Sequence, residues 1–95
     1  MNKDQTPAKI LIVDDIPANL DMLSDTLEPE GYQILAAPSG EVALKIAARA
    51  LPDIILLDVL MPGIDGFETC RRLKEDELTR DIPVIFVTAK GEVED

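Results

Sequence analysis

Asp14, Asp15 and Asp58 are the residues whose types and spacing could do chemistry. Each sits at the end of a short apolar run. Ile10-Leu11-Ile12-Val13 leads into Asp14-Asp15, and Ile54-Ile55-Leu56-Leu57 leads into Asp58. A brief, wholly apolar run reads as a strand buried on both faces, as in a parallel sheet. An aspartate at its end is then held at the C-terminal edge of that sheet, where open α/β folds place their ligands. Two such strands deliver three carboxylates to one rim. That set suits a hard divalent cation beside an acidic nucleophile. Crowded carboxylates also repel, so without a cation at least one pKa should rise.

The elements that must position these residues alternate along the chain. Residues 1–8 read as a polar leader and residues 9–13 as the first strand. Pro17 sits where the first turn of a helix accepts it. Leu20, Leu23 and Leu27 recur at helical spacing and predict one buried stripe; Pro29 and Gly31 stop that helix. Tyr32 to Ala36 predict a second strand, with Tyr32, Ile34 and Ala36 on one face. Ser39 is the expected N-cap of the next helix, with Glu41 in its first turn. Val42, Ile46, Ala47 and Ala50 supply its stripe, and Pro52 ends it. The third strand is predicted over Asp53 to Leu57. Met61-Pro62-Gly63 shapes the loop that follows. Asp65 and Glu68 have the spacing of a capping box, and Phe67, Cys70 and Leu73 are expected on one side of the helix they open. A charged loop from Glu75 to Ile82 leads to a fourth strand, Pro83 to Val87, ending in Thr88. This β-α-β-α-β-α-β order implies an α/β fold: a parallel sheet with right-handed crossovers and helices on both faces.

Composition narrows the function classes. Hydrophobic residues are 46% of the 95 residues and aromatics only 3%, so aliphatic side chains must build the core of one small domain. The net charge of −10, from 9 basic and 19 acidic residues, disfavours direct binding to nucleic acid or an anionic membrane. The apolar runs fall far short of the ~20 residues a membrane helix needs, and the polar N-terminus does not read as a signal peptide. Cys70 is the single cysteine and cannot form an internal disulfide, so a reducing, cytoplasmic setting is expected. Its expected role is that of a small core hydrophobe.

Asp14-Asp15, Asp58, Met61-Pro62-Gly63, Asp65-Gly66 and Thr88-Ala89, in this order and each near the end of its own element, resemble the receiver domain of bacterial two-component response regulators. The resemblance runs from Lys9 to Lys90. It implies a flavodoxin-like (CheY-like) doubly wound parallel sheet with strand order 2-1-3-4. It further implies that Asp58 accepts a phosphoryl group from a histidine kinase or phosphotransfer protein. Asp14 and Asp15 would hold Mg²⁺, Asp15 more directly and Asp14 through water, and the backbone carbonyl of Leu60 would complete the metal site. Thr88 would hydrogen-bond the phosphoryl group. The residue chemistry agrees. A carboxylate is a nucleophile for phosphoryl transfer, and Mg²⁺ favours a few carboxylates, waters and phosphate oxygens.

Measured against that family, residues 9–95 read as an incomplete receiver domain, with the fifth strand and last helices missing. The lysine that ends the fifth strand in the family has no counterpart; Lys90 lies too near Thr88 to be it. Impaired switching is therefore expected, and so is a homo-oligomer formed through the apolar fourth strand, Val84 to Val87, or through uncovered faces. Two other classes fit the residues less well. A phosphatase of the haloacid dehalogenase type needs an acid two residues after its nucleophile, and Leu60 and Ile16 occupy those positions. An interaction module without phosphorylation would keep the fold alone, against which the acidic triad speaks. The expectation is a signalling module, not an enzyme.

Overall fold

The computed structural model of the protein describes residues 6–87. Four parallel strands form one sheet in the order β2-β1-β3-β4: β1 Lys9–Val13, β2 Gln33–Ala37, β3 Ile54–Asp58 and β4 Val84–Val87. Three helices connect them: α1 Pro17–Leu27, α2 Gly40–Ala50 and α3 Gly66–Glu75, with a 3₁₀ turn at Glu28–Glu30 after α1. The fold class and strand order expected from the sequence are therefore observed.

Local chemistry explains the boundaries. Ser39 accepts a hydrogen bond from the Val42 N–H at 3.2 Å, and Asp65 accepts one from the Glu68 N–H at 2.8 Å. Each satisfies a helix-terminal donor that would otherwise lack a partner. Gly31, at φ +96°, closes the turn after α1 in a left-handed conformation that side chains disfavour.

One face of the sheet is sealed. Leu11, Val13, Ile55 and Leu57 pack against Ala43 and Ala47 of α2 and Leu73 of α3. Met61, also buried in that cluster, anchors the loop after β3. The opposite face, beneath α1, is less filled. Ile10 and Ile12 are buried there, yet α1 itself has no fully buried residue. The stripe of Leu20, Leu23 and Leu27 is only half-buried.

Three expectations need correction. β2 begins one residue later than Tyr32 and runs to Ala37; Ile34 and Ala36 do share one face, and Leu35 and Ala37 on the other face meet the core cluster. The run Ile34-Leu35-Ala36-Ala37 is apolar throughout, so alternation alone could not orient it. In α3 the buried positions are Gly66, Thr69 and Leu73. Phe67 points outward, is 60% exposed, and meets Phe86 of β4 with ring centroids 5.1 Å apart. In α2 the fully buried positions are Gly40, Ala43 and Ala47, with Val42 and Ile46 at the margin.

Candidate functional site

Register brings the acidic residues together. Val13 of β1 pairs with Leu57 of β3, so Asp14 and Asp58 leave the sheet side by side. The ladder holds both ends. The Asp14 N–H donates to Ala37 O at 3.1 Å, and Asp58 still pairs with Val87. One carboxylate oxygen from each of Asp14, Asp15 and Asp58 lies within 4.8 Å of the other two. Asp14 and Asp58 are buried, at 4% and 9% exposure, while Asp15 is half-buried.

The start of α3 closes on this edge from above. The Gly66 N–H donates to Val59 O at 2.9 Å. A Cβ added at Gly66 would stand 2.2 Å from the Asp58 carbonyl oxygen and 2.9 Å from Val59 Cα. Only glycine allows that approach, and it fixes the backbone from the Asp58 carbonyl to Val59. Gly63, at φ +78°, provides the turn earlier in the same loop.

Electrostatically the site is strained toward protonation. Burial, then the charges of Asp14 and Asp15, push the Asp58 carboxyl above its ordinary value. Hydrogen bonding from the backbone of Leu60 and Val59 works the other way. An all-oxygen set of three carboxylates whose mutual repulsion raises a pKa is one that a hard divalent cation would relieve, so the residues present fit Mg²⁺.

Asp14 carries further contacts. Its Oδ1 accepts the Ile16 N–H at 3.0 Å and its Oδ2 accepts the Asn19 side-chain amide at 3.2 Å. Asp14 therefore does not cap α1; Ile16 occupies the cap position without a side-chain bond. Asp14, Asn19 and Asp58 also border a cavity of about 160 Å³ between α1 and the sheet, whose other walls include Ile12, Leu23, Leu56 and Val87. Sequence reasoning missed both Asn19 and the steric role of Gly66. A neutral amide four residues after the acidic pair was the available signal for Asn19. Leu60, at 70% exposure, stands in the loop directly after β3. Thr88 lies outside the described residues.

A parallel sheet in this order with an acidic pocket at its C-terminal edge defines an α/β receiver-type module. The model of the response regulator receiver domain family matches residues 10–95, and the chain belongs to that family. It is 57% identical over 82 residues to the response regulator PleD of Caulobacter vibrioides, a match covering 86% of this chain and 18% of that protein. Against the transcriptional regulator RpaA of Synechocystis it is 45% identical over 87 residues, covering 92% of this chain and 36% of that one. The chain thus spans well under half the length of these two relatives. Among solved structures, the N-terminal domain of a response regulator receiver protein from Methanoculleus marisnigri superposes with a TM-score of 0.84 at 45% identity, covering 90% of this chain and 69% of that one. The response regulator TrrA from Thermotoga maritima, solved in complex with Mg²⁺-BeF, gives 0.80 at 38% identity, covering 86% and 70%. Receiver domains are signalling modules of two-component systems. Among the described residues no helix is long and apolar enough to cross a membrane.

Proposed function

We propose that this domain accepts a phosphoryl group on Asp58 from the phosphohistidine of a histidine kinase or phosphotransfer protein. The observation that carries the reading is the convergence of Asp14, Asp15 and Asp58 within 4.8 Å, with Asp58 the carboxylate made more basic by burial and like charge. A more basic carboxylate is a better nucleophile. In the transfer, the donor's P–N bond breaks as a P–O bond to an Asp58 carboxylate oxygen forms, and the bonding pair returns to the imidazole nitrogen. Asp15 and Asp58 would hold Mg²⁺ directly and Asp14 through water, joined by the Leu60 carbonyl. When bound, that ion supplies neutralisation of the charge that builds on the transferring oxygens. The Mg²⁺-BeF complex of the related TrrA protein supports this assignment. Thr88 is proposed as the hydroxyl that contacts the phosphoryl group. The charge of −10 supports a partner other than nucleic acid.

The test is radiolabelled phosphoryl transfer from a small phosphodonor or a phosphorylated kinase. Mg²⁺-dependent label on the parent chain and none on Asp58→Asn is the expected result. Label that survives Asp58→Asn or ignores chelation rejects the assignment.

Self-association belongs to the same proposal. Phe67, Ile85 and Phe86 are exposed large hydrophobics on α3 and β4, and a second copy would cover them. Sedimentation velocity should show a concentration-dependent dimer; a monomer across the accessible concentration range refutes it.

A further inference from the structure

We propose that Asn19 is a positioning residue for the acidic site, acting through Asp14. The inference rests on the phosphoryl-acceptor reading above and concerns how its cation-binding carboxylates are held. Asp14 is 4% exposed, and a buried carboxylate needs hydrogen-bond partners in place of the water it has lost. It has one on each oxygen: the Ile16 N–H on Oδ1 at 3.0 Å and the Asn19 Nδ2 on Oδ2 at 3.2 Å. Because the two bonds leave from different oxygens, turning the carboxylate about its Cβ–Cγ bond breaks both. The group is thereby fixed in rotation as well as position.

The tether is rigid at both ends. Asp14 is joined to β2 through its own N–H, bonded to Ala37 O at 3.1 Å. Asn19 lies in the first turn of α1, where Pro17 presets the backbone and the Asn19 N–H donates to Ile16 O at 3.0 Å. The chemistry of the residue matters too. A carboxylate can only accept, so its partner must donate. A lysine would donate but would bring a charge that competes with a cation; an aspartate would add a fourth repelling carboxylate. A neutral amide bordering the cavity shared with Asp14 and Asp58 does neither.

Groups that orient direct metal ligands typically carry about 10–100-fold of metal affinity. Asn19 orients a carboxylate that reaches the ion through water, so it should carry the low end of that range, about tenfold. Isothermal titration of the metal-free chain with MgCl₂ should therefore show a loss of that size for Asn19→Leu, which keeps the branched shape and removes the donor. Asn19→Gln, which keeps the amide, should recover most of it. Circular dichroism establishes that each variant is folded; if Asn19→Leu is not, Asn19→Ala carries the same expectation. The decisive comparison uses an Asp14→Ala background, where Asn19→Leu should change affinity by less than about twofold, since its effect is routed through Asp14. In the metal-free parent, the Asn19 side-chain amide resonances should also move on Asp14→Ala. Undiminished Mg²⁺ affinity in Asn19→Leu, or an equal loss with and without Asp14, overturns the proposal. A parent chain that binds no Mg²⁺ overturns the underlying cation site as well, so the two failures are distinct.

Discussion

Asp58→Asn should make the metal-free protein more stable, although it removes the group on which function depends. The substitution keeps the side chain's shape and deletes one charge from three that approach within 4.8 Å. At that separation each like-charge pair costs about 1 kcal/mol in bulk water and about 3–4 kcal/mol at an effective dielectric constant of ~20. Two pairs disappear. Asp15 is half-buried and solvent screens it, so the lower part of the range applies to that pair. The carboxylate also gives up backbone hydrogen bonding from Leu60 and Val59. A net gain of about 1–3 kcal/mol remains, which in a domain of this size raises Tm by roughly 4–8 °C per kcal/mol. The pH dependence follows from the same cause. The folded-state pKa of Asp58 lies above its ordinary value, so the folded protein binds this proton more tightly than the unfolded chain. The contribution of Asp58 to stability is thus fully present below the unfolded-state pKa and is lost as pH rises through the raised value. Parent and variant should melt together in acid and diverge toward neutrality. Thermal melts followed by circular dichroism, in chelator and low salt, measure the gap. Adding MgCl₂ should stabilise the parent more than the variant and narrow it. A variant that melts at or below the parent at neutral pH in chelator refutes the electrostatic account.

Two glycines extend the predictions. Gly66→Ala forces a Cβ to within 2.2 Å of the Asp58 carbonyl oxygen, and backbone cannot step aside as a side-chain tip can. A loss of about 1–3 kcal/mol is expected from overpacking, with slower labelling of Asp58, read by melting and phosphoryl transfer together. Gly40→Ala meets Thr69 Oγ1 at 2.2 Å and Ile64 Cγ1 at 2.7 Å, at the contact between α2 and α3. It should lower Tm comparably while sparing the rate per folded molecule, and an equal rate defect in both variants would contradict the role given to Gly66.

The helix boundaries were legible because their causes are local. Ser39 and Asp65 cap the helices that follow them through bonds spanning three residues, to Val42 and Glu68. The strand ends were legible for a similar reason: an apolar run that stops at an aspartate marks where the strand ends, even though Asp14 and Asp58 themselves stay buried. Facing was harder. Leu35 and Ala37 meet the core cluster, and nothing in the run Ile34-Leu35-Ala36-Ala37, apolar at every position, marks them out from Ile34 and Ala36. Phe67 reads as a core residue by spacing, yet the core beside α3 is already occupied by Thr69 and Leu73, and the ring turns to Phe86 instead.

By itself, then, the chain determined which carboxylates end strands, how helices and strands alternate, and the family those features point to. Tertiary structure alone decided that Asp14 and Asp58 emerge side by side, that Asn19 reaches back to hold Asp14, and that α3 begins against the backbone of Asp58. The division has a physical origin. Propensity, capping and burial act over a few neighbouring residues, whereas the register of Val13 against Leu57 is set by how the whole sheet packs on α2 and α3.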